Sequence, residues 1–481
     1  MIPRTKSRFH LTSVLLGLAF FIARDGRAEP LHPFAIQMVD DRTGRGVPLV
    51  ELKTVSNVAF WTDSAGYAAI DDPALLGRKV FFSVSSHGYD FAADGFGMHG
   101  TAIDLVPGGE KTLKIKRINL AERLYRVTGE GIYRDSVILG KPVPISEPLI
   151  NGQVTGQDSA MTAVYRGKIW WFWGDTMRQS YPLGHFSMAG ATSDLPGAGG
   201  LDPAVGVNLK YFVDKDGFSR PMVPAIGGEL HWIEGLITLK DDQGHERMIA
   251  TLARLKSMSE VLGRERVVFN DDKGTFDTLK KIDVKSPVRL TGHPFRHTVD
   301  GVEYIYAGES APNVRVKADW KSVIDPMEYE AYAQVQSTWA WRKNAVPSGE
   351  PLKLRDIESK KMFEGHYGSV CWNAFRHKWV MIVVQRGGKS SFLGEVWYAE
   401  ADAPEGPWLD ARKILTHDRY SFYNPVQHPK FDQEGGRIIY IEGTYATTFS
   451  RDGDPTPRYE YNQMMYRLDV SEVMDLPKRD G

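Results

Sequence analysis

Along most of the chain, apolar residues recur at every second position in short runs broken by Gly, Asp, Asn and Pro. That is the pattern of half-buried strands joined by tight turns. Residues 34–39 alternate, Asp40-Asp41-Arg42-Thr43-Gly44 supplies a turn, 50–54 alternate again, and Thr62-Asp63-Ser64-Ala65-Gly66 turns. Residues 79–84 and 112–118 complete this first set, which predicts a small β-sandwich over 29–118. Residues 120–125 have the spacing of one or two helical turns, and the Gly- and Pro-containing run 140–148 reads as an extended crossing, so 119–148 is a connector.

From 149 to 475 one motif recurs: an alternating strand, a polar turn, then an aromatic-rich second strand. It occurs at 161–173, 229–255, 292–307, 367–385 and 424–442. Five such pairs in about 320 residues give roughly 64 residues per unit, the size of a four-stranded propeller blade with generous loops. The predicted class is all-β: an N-terminal β-sandwich followed by a five-bladed β-propeller. A jelly roll or stacked sandwiches are the competing arrangements.

Composition narrows the function classes. The 481 residues carry 59 Lys+Arg against 60 Asp+Glu, a net charge of −1, so no electrostatic surplus calls for nucleic acid or an anionic membrane. The 47 Gly and 12 Trp suit turn-rich strands with ring faces for stacking. Arg4, Lys6 and Arg8 precede an apolar run over 11–23, and Gly26-Arg27-Ala28 offers small residues for cleavage. Residues 1–28 therefore read as a secretory signal rather than an uncleaved anchor, and imply a secreted or periplasmic protein with no membrane segment in the mature form. A single cysteine, Cys371, excludes an intrachain disulfide and leaves extracytoplasmic stability to packing.

The densest chemistry lies between Gly156 and Thr176. Asp158 precedes the first strand of its hairpin, and Asp175 closes the second in Trp171-Phe172-Trp173-Gly174-Asp175-Thr176. A hairpin turn at Gly167 sets both carboxylates at one end of adjacent strands. Paired carboxylates beside Trp faces are what glycosidic chemistry requires, one to protonate a leaving oxygen and one as base or nucleophile. The alternative is two turn-forming Asp side chains.

This stretch resembles the opening blade of the five-bladed propeller glycoside hydrolases of the arabinanase-like superfamily, and is most similar to the group containing bacterial endo-D-arabinanases. Glu395-Val396-Trp397-Tyr398-Ala399-Glu400-Ala401-Asp402-Ala403-Pro404-Glu405-Gly406-Pro407-Trp408 resembles that superfamily's outer-blade element, and Tyr423-Asn424-Pro425-Val426-Gln427-His428-Pro429 its last blade. The order of turns and strands in the N-terminal set resembles the prealbumin-like domains related to the carboxypeptidase regulatory domain. The propeller resemblance implies Asp158 and Asp175 as the catalytic pair. Related families spread three acids over three blades, and Glu309 and Glu234 are the candidates for a further acid, without an unambiguous match. It also implies a central funnel whose substrate-binding residues would come from Trp173, Trp232, His293, His366, Tyr367, Arg386, Asn424, His428 and Glu442.

Some related propellers hold calcium near the axis, but the sequence has no His-x-His, His-Glu-x-x-His or Asp-rich calcium loop, so no metal ligands are assigned. A Gly-x-Ser-x-Gly elbow and a phosphate loop are also missing, and Gly95-Phe96-Gly97-Met98-His99-Gly100 falls inside the sandwich pattern as a loop. The leading expectation is a secreted glycoside hydrolase with a carbohydrate substrate. A polysaccharide lyase working through Tyr367, His293, His366 or Arg386 on a uronate-containing glycan, and a non-catalytic carbohydrate-binding propeller, are the alternatives.

Overall fold

A computed structural model describes residues 32–224, 228–335, 337–450 and 453–473. The signal assigned to 1–28 lies outside them. The described chain is all-β, with only short helical segments such as Arg134–Ile138 and Trp320–Ile324.

The first unit is two four-stranded sheets over one core. One orders Tyr67–Ile70, Phe34–Asp40, Glu110–Arg117 and Tyr89–Asp90; the other orders Ala59–Trp61, Glu51–Thr54, Lys79–Ser85 and Gly100–Asp104. Alternation works as read: Ile36, Met38, Leu52, Phe82, Val84 and Ile115 point inward and share one apolar cluster. Phe34–Asp40 runs parallel to Glu110–Arg117, and the buried pair Arg117–Asp40 ties the two at 2.9 Å.

Six further sheets follow: a three-stranded one of Val154–Gln157, Thr176–Arg178 and Tyr181–His185, and five larger ones numbered here in chain order. Sheet 1 is Met161–Tyr165, Lys168–Trp173, Ala189–Asp194 and Lys210–Tyr211; sheet 2 is Leu230–Lys240, Glu246–Ser257, Glu260–Asn270 and Thr275–Ile282. Sheet 3 runs through Phe295–Val299, Val302–Ala307, Val314–Lys317, Glu330–Val335 and Thr338–Lys343. Sheet 4 comprises Met362–Asn373, Lys378–Arg386, Val396–Ala401 and Asp410–Leu415, closed on itself by Lys353–Asp356, which pairs with the first and last of these. Sheet 5 holds Ser421–Gln427, Ile438–Ala446 and Asn462–Asp469. Each hairpin expected from the sequence is the opening strand pair of one of these sheets.

The segment read as helical turns is a strand. Glu122–Arg126 is fully buried and pairs antiparallel with Asn462–Asp469 as the fourth strand of sheet 5. Local spacing favoured a helix, but pairing with an otherwise open edge and burial of all five side chains outweigh it.

The opening strands converge. A cavity of about 200 Å³ is lined by Thr162 and Val164 of sheet 1, Leu236 of sheet 2 and Phe295 of sheet 3, together with Cys371 of sheet 4 and Val426 of sheet 5. All five numbered sheets therefore meet around one interior space.

Candidate functional site

Antiparallel register builds the first part of the site. Met161 pairs with Phe172, so the residues preceding one strand and following the other lie side by side. The Asp175 N–H donates to Asp158 Oδ1 at 3.0 Å, and the Gly174 N–H to the Asp158 carbonyl at 2.8 Å. Sheet 5 supplies the next contact: the Tyr423 hydroxyl donates to Asp158 Oδ2 at 3.1 Å. Tyr461, in the approach to the last strand of that sheet, also hydrogen-bonds Asp158. Asp175 is held from the other side, where the Trp232 indole N–H of sheet 2 donates to its Oδ1 at 3.0 Å.

The two carboxylates sit in different fields. Burial raises the Asp158 pKa to about 7, the neighbouring Asp175 charge adds to that, and the Tyr461 and Tyr423 hydroxyls oppose it. Asp175 is raised by burial, with the Trp232 N–H opposing. Near neutral pH Asp158 is therefore poised to carry a proton beside a second carboxylate, the division of roles that acid–base catalysis needs.

A second cluster continues along the same side. Trp232 and Glu234 are two residues apart on one strand and share a face. Glu234 Oε1 accepts from Arg289 Nε at 3.1 Å and Arg264 at 3.2 Å. The exposed Glu309 of sheet 3 lies near it, and Tyr367 of sheet 4 hydrogen-bonds Glu309. Burial and the negative field of Glu309 and Glu234 push the Tyr367 pKa up, which makes it a donor and a poor base. Glu234 is thus an ion-pair hub for two arginines, and Glu309 the more accessible carboxylate.

The other sequence candidates divide. Asn424 donates to Ser159 Oγ at 2.8 Å, next to Asp158, so it belongs to the site. His366 packs edge-on against Tyr367 at 4.7 Å, and Arg386 pairs with Glu364 at 3.0 Å beside it. His293 lines the central cavity, where burial lowers its pKa to about 4 and keeps it neutral. Two assignments, Trp173 and Glu442, need correcting. Trp173 is fully buried, stacked on Trp171 at 6.1 Å and packed against Tyr211, so it offers no face to a ligand. His428 and Glu442 are both buried and bond each other at 2.7 Å; His428 lines the central cavity, and Glu442 stands behind it and off the cavity wall.

Sequence reasoning missed four groups: Tyr423, Tyr461, Arg264 and Arg289. Tyr423 adjoins Asn424 in a stretch already singled out, and that adjacency was the available signal. Tyr461 stands in a loop with a left-handed backbone (φ 58°), and nothing local marks it.

For a calcium ion near the axis, the cavity wall offers the side-chain oxygens of Thr162, Ser369 and Gln427 beside His293 and His428, and no carboxylate. Among the described residues no group of three or more His, Cys, Asp or Glu is arranged to hold a metal ion.

No protein-family model matches the sequence, and no curated protein matches it either. Solved structures with similar chain paths include an exo-β-1,3-galactanase from Phanerochaete chrysosporium, 10% identical, covering 73% of this chain and 66% of that one, with TM-score 0.39. An exo-1,5-α-L-arabinanase from a bovine ruminal metagenomic library is 10% identical over 66% of this chain and 93% of its own, with TM-score 0.34. A GH43_1 enzyme from Xanthomonas citri, complexed with xylose, is 12% identical over 66% and 89%, with TM-score 0.34.

Proposed function

We propose that the chain is a secreted or periplasmic glycoside hydrolase acting on a polysaccharide or oligosaccharide. In this reading the five sheets are the blades of a propeller, and the N-terminal pair of sheets is an accessory sandwich. The observation that carries the reading is the Asp158–Asp175 pair: the Asp158 carboxylate, raised to about 7 and held by tyrosines, accepts the backbone N–H of Asp175, whose own carboxylate is held by a tryptophan. Asp158 protonates the leaving glycosidic oxygen while its pKa keeps the proton available near neutrality. Asp175 is the partner carboxylate that activates water or attacks the sugar. Trp232 fixes Asp175 through its indole N–H, and Glu309 with Tyr367 offers hydrogen-bonding groups further along the same rim.

The test is turnover of a glycan panel, read as reducing ends and product masses together. Asp158→Asn and Asp175→Asn should each lose about 10³-fold or more in rate with unchanged circular dichroism. Normal turnover by either variant sinks the assignment. Products that absorb in the near ultraviolet, as an unsaturated uronate does, would indicate elimination instead.

A further inference from the structure

Where the first unit meets sheet 5, a second cavity of about 120 Å³ opens between Trp61 and Asp63 on one side and Arg126, Arg134, Arg458 and Tyr459 on the other. Arg126 is only 2% exposed. Its terminal nitrogens donate to backbone carbonyls, those of Arg458 and, at 2.8 Å, Glu130, and its guanidinium lies 4.4 Å over the Tyr459 ring. The Nε has no hydrogen-bond partner, and among the described residues no carboxylate forms an ion pair with this group.

The acidic groups of the wall are committed elsewhere. Asp63 accepts the N–H groups of Ala65, Tyr67 and Ser136 at 3.0, 3.2 and 2.7 Å. Asp135 accepts the Ala69 N–H at 3.0 Å and Arg134 at 3.1 Å. A buried guanidinium without a direct ion pair is costly: burial holds the Arg126 pKa below its ordinary value, although the nearby Tyr459, Asp63 and Glu130 oppose the shift. Three guanidinium groups thus wall the cavity against two carboxylates already spent on backbone amides and Arg134.

We propose that this cavity is an anion site that takes a carboxylate group, presented either by an acidic sugar or by a small free acid. Guanidinium forks match carboxylates in geometry as well as charge. The half-buried Trp61 also lines the cavity, and an aromatic ring beside guanidinium groups favours a sugar acid over a bare one. The site is independent of the Asp158–Asp175 assignment, since it lies at the junction and shares no residue with that pair.

Isothermal titration and thermal unfolding of the full chain with sodium glucuronate, sodium acetate, glucose and sodium phosphate test it. Glucuronate should bind and raise Tm, and glucose should do neither. Acetate weaker than glucuronate marks the sugar acid as ligand, and equal affinity marks the carboxylate alone; both outcomes support the site. Arg134→Gln and Arg458→Gln at the cavity mouth should each weaken glucuronate binding by about tenfold or more, with the fold intact. They carry the test because the buried Arg126→Gln protein risks misfolding. Asp158→Asn should bind glucuronate as the parent does, whatever its activity. No binding by either carboxylate at tens of millimolar (roughly the weakest affinity worth titrating), phosphate binding in their place, or affinity that survives both arginine substitutions would overturn the proposal.

Discussion

Gly174 has no room for a methyl group, because a Cβ there would collide with Asp158 Oδ1, the atom that receives the Asp175 N–H. Gly174→Ala should therefore displace the carboxylate by about an ångström and cost about 10²-fold in kcat/KM. Melting curves beside the kinetics separate this from unfolding. The Tyr423 hydroxyl favours the charged form of Asp158, so Tyr423→Phe should raise that pKa and move the alkaline limb of kcat/KM, expected near pH 7, upward. Linkage gives a further sign. The folded-state pKa of about 7 stands above the ordinary 3.8, so the folded chain holds a proton that the unfolded chain has released between those values. Stability from this group is present below pH 4 and lost as pH rises towards 7. Asp158→Asn, neutral throughout, should raise Tm relative to the parent at pH 8, and the difference should shrink towards pH 4. At this scale the adjacency of Asp158 and Asp175 was legible in the sequence because strand register alone brings their positions together. It misassigned Trp173 because alternation says which residues share a face, not whether that face meets solvent or a neighbouring sheet.

The strand Glu122–Arg126 shows how element choice depends on distant chain. It supplies the outer edge of sheet 5 from a position more than 300 residues before its partner Asn462–Asp469, and no local pattern encodes that pairing. The five hairpins were legible because each is a contiguous alternation with its own turn. Outer strands such as Lys210–Tyr211 are too short to leave a signature, and the Tyr461 contact exists only because sheet 5 is completed beside sheet 1. Tyr125 is the element's anchor: buried, with its hydroxyl donating to the Pro203 carbonyl at 2.7 Å. Tyr125→Pro removes a backbone donor and this anchor together, and should lower stability by about 3 kcal/mol or more, read as a fall in the urea midpoint. Loss of this strand frees the neighbouring Asn462–Asp469, so activity should fall with the same midpoint as the unfolding signal.

The whole molecule is bound together at the face where the first unit meets sheet 5. Leu49 sits in the same buried cluster as Phe422, Tyr445 and Tyr466, so one apolar core crosses the boundary. The polar contacts cross it too: Arg123 donates to the carbonyls of Pro48 and His87, each at 3.1 Å, and the Tyr459 hydroxyl accepts the Leu49 N–H and donates to the Thr62 carbonyl. These hydrogen bonds are buried, and separating the units would exchange each for bonds to water at a net cost of about 0.5–1.5 kcal/mol. With no intrachain disulfide available, this shared core and its hydrogen bonds must hold the units together. The expected behaviour is a single calorimetric unfolding transition for both units, although their strand patterns read as separate domains in the sequence. Leu49→Ala should lower that one transition, by about 2–5 kcal/mol in stability, because the cavity opens in a core common to both. Two resolved transitions in the parent protein, or a Leu49→Ala loss confined to an early minor peak, would show that the units fold independently and that the shared cluster does not couple them.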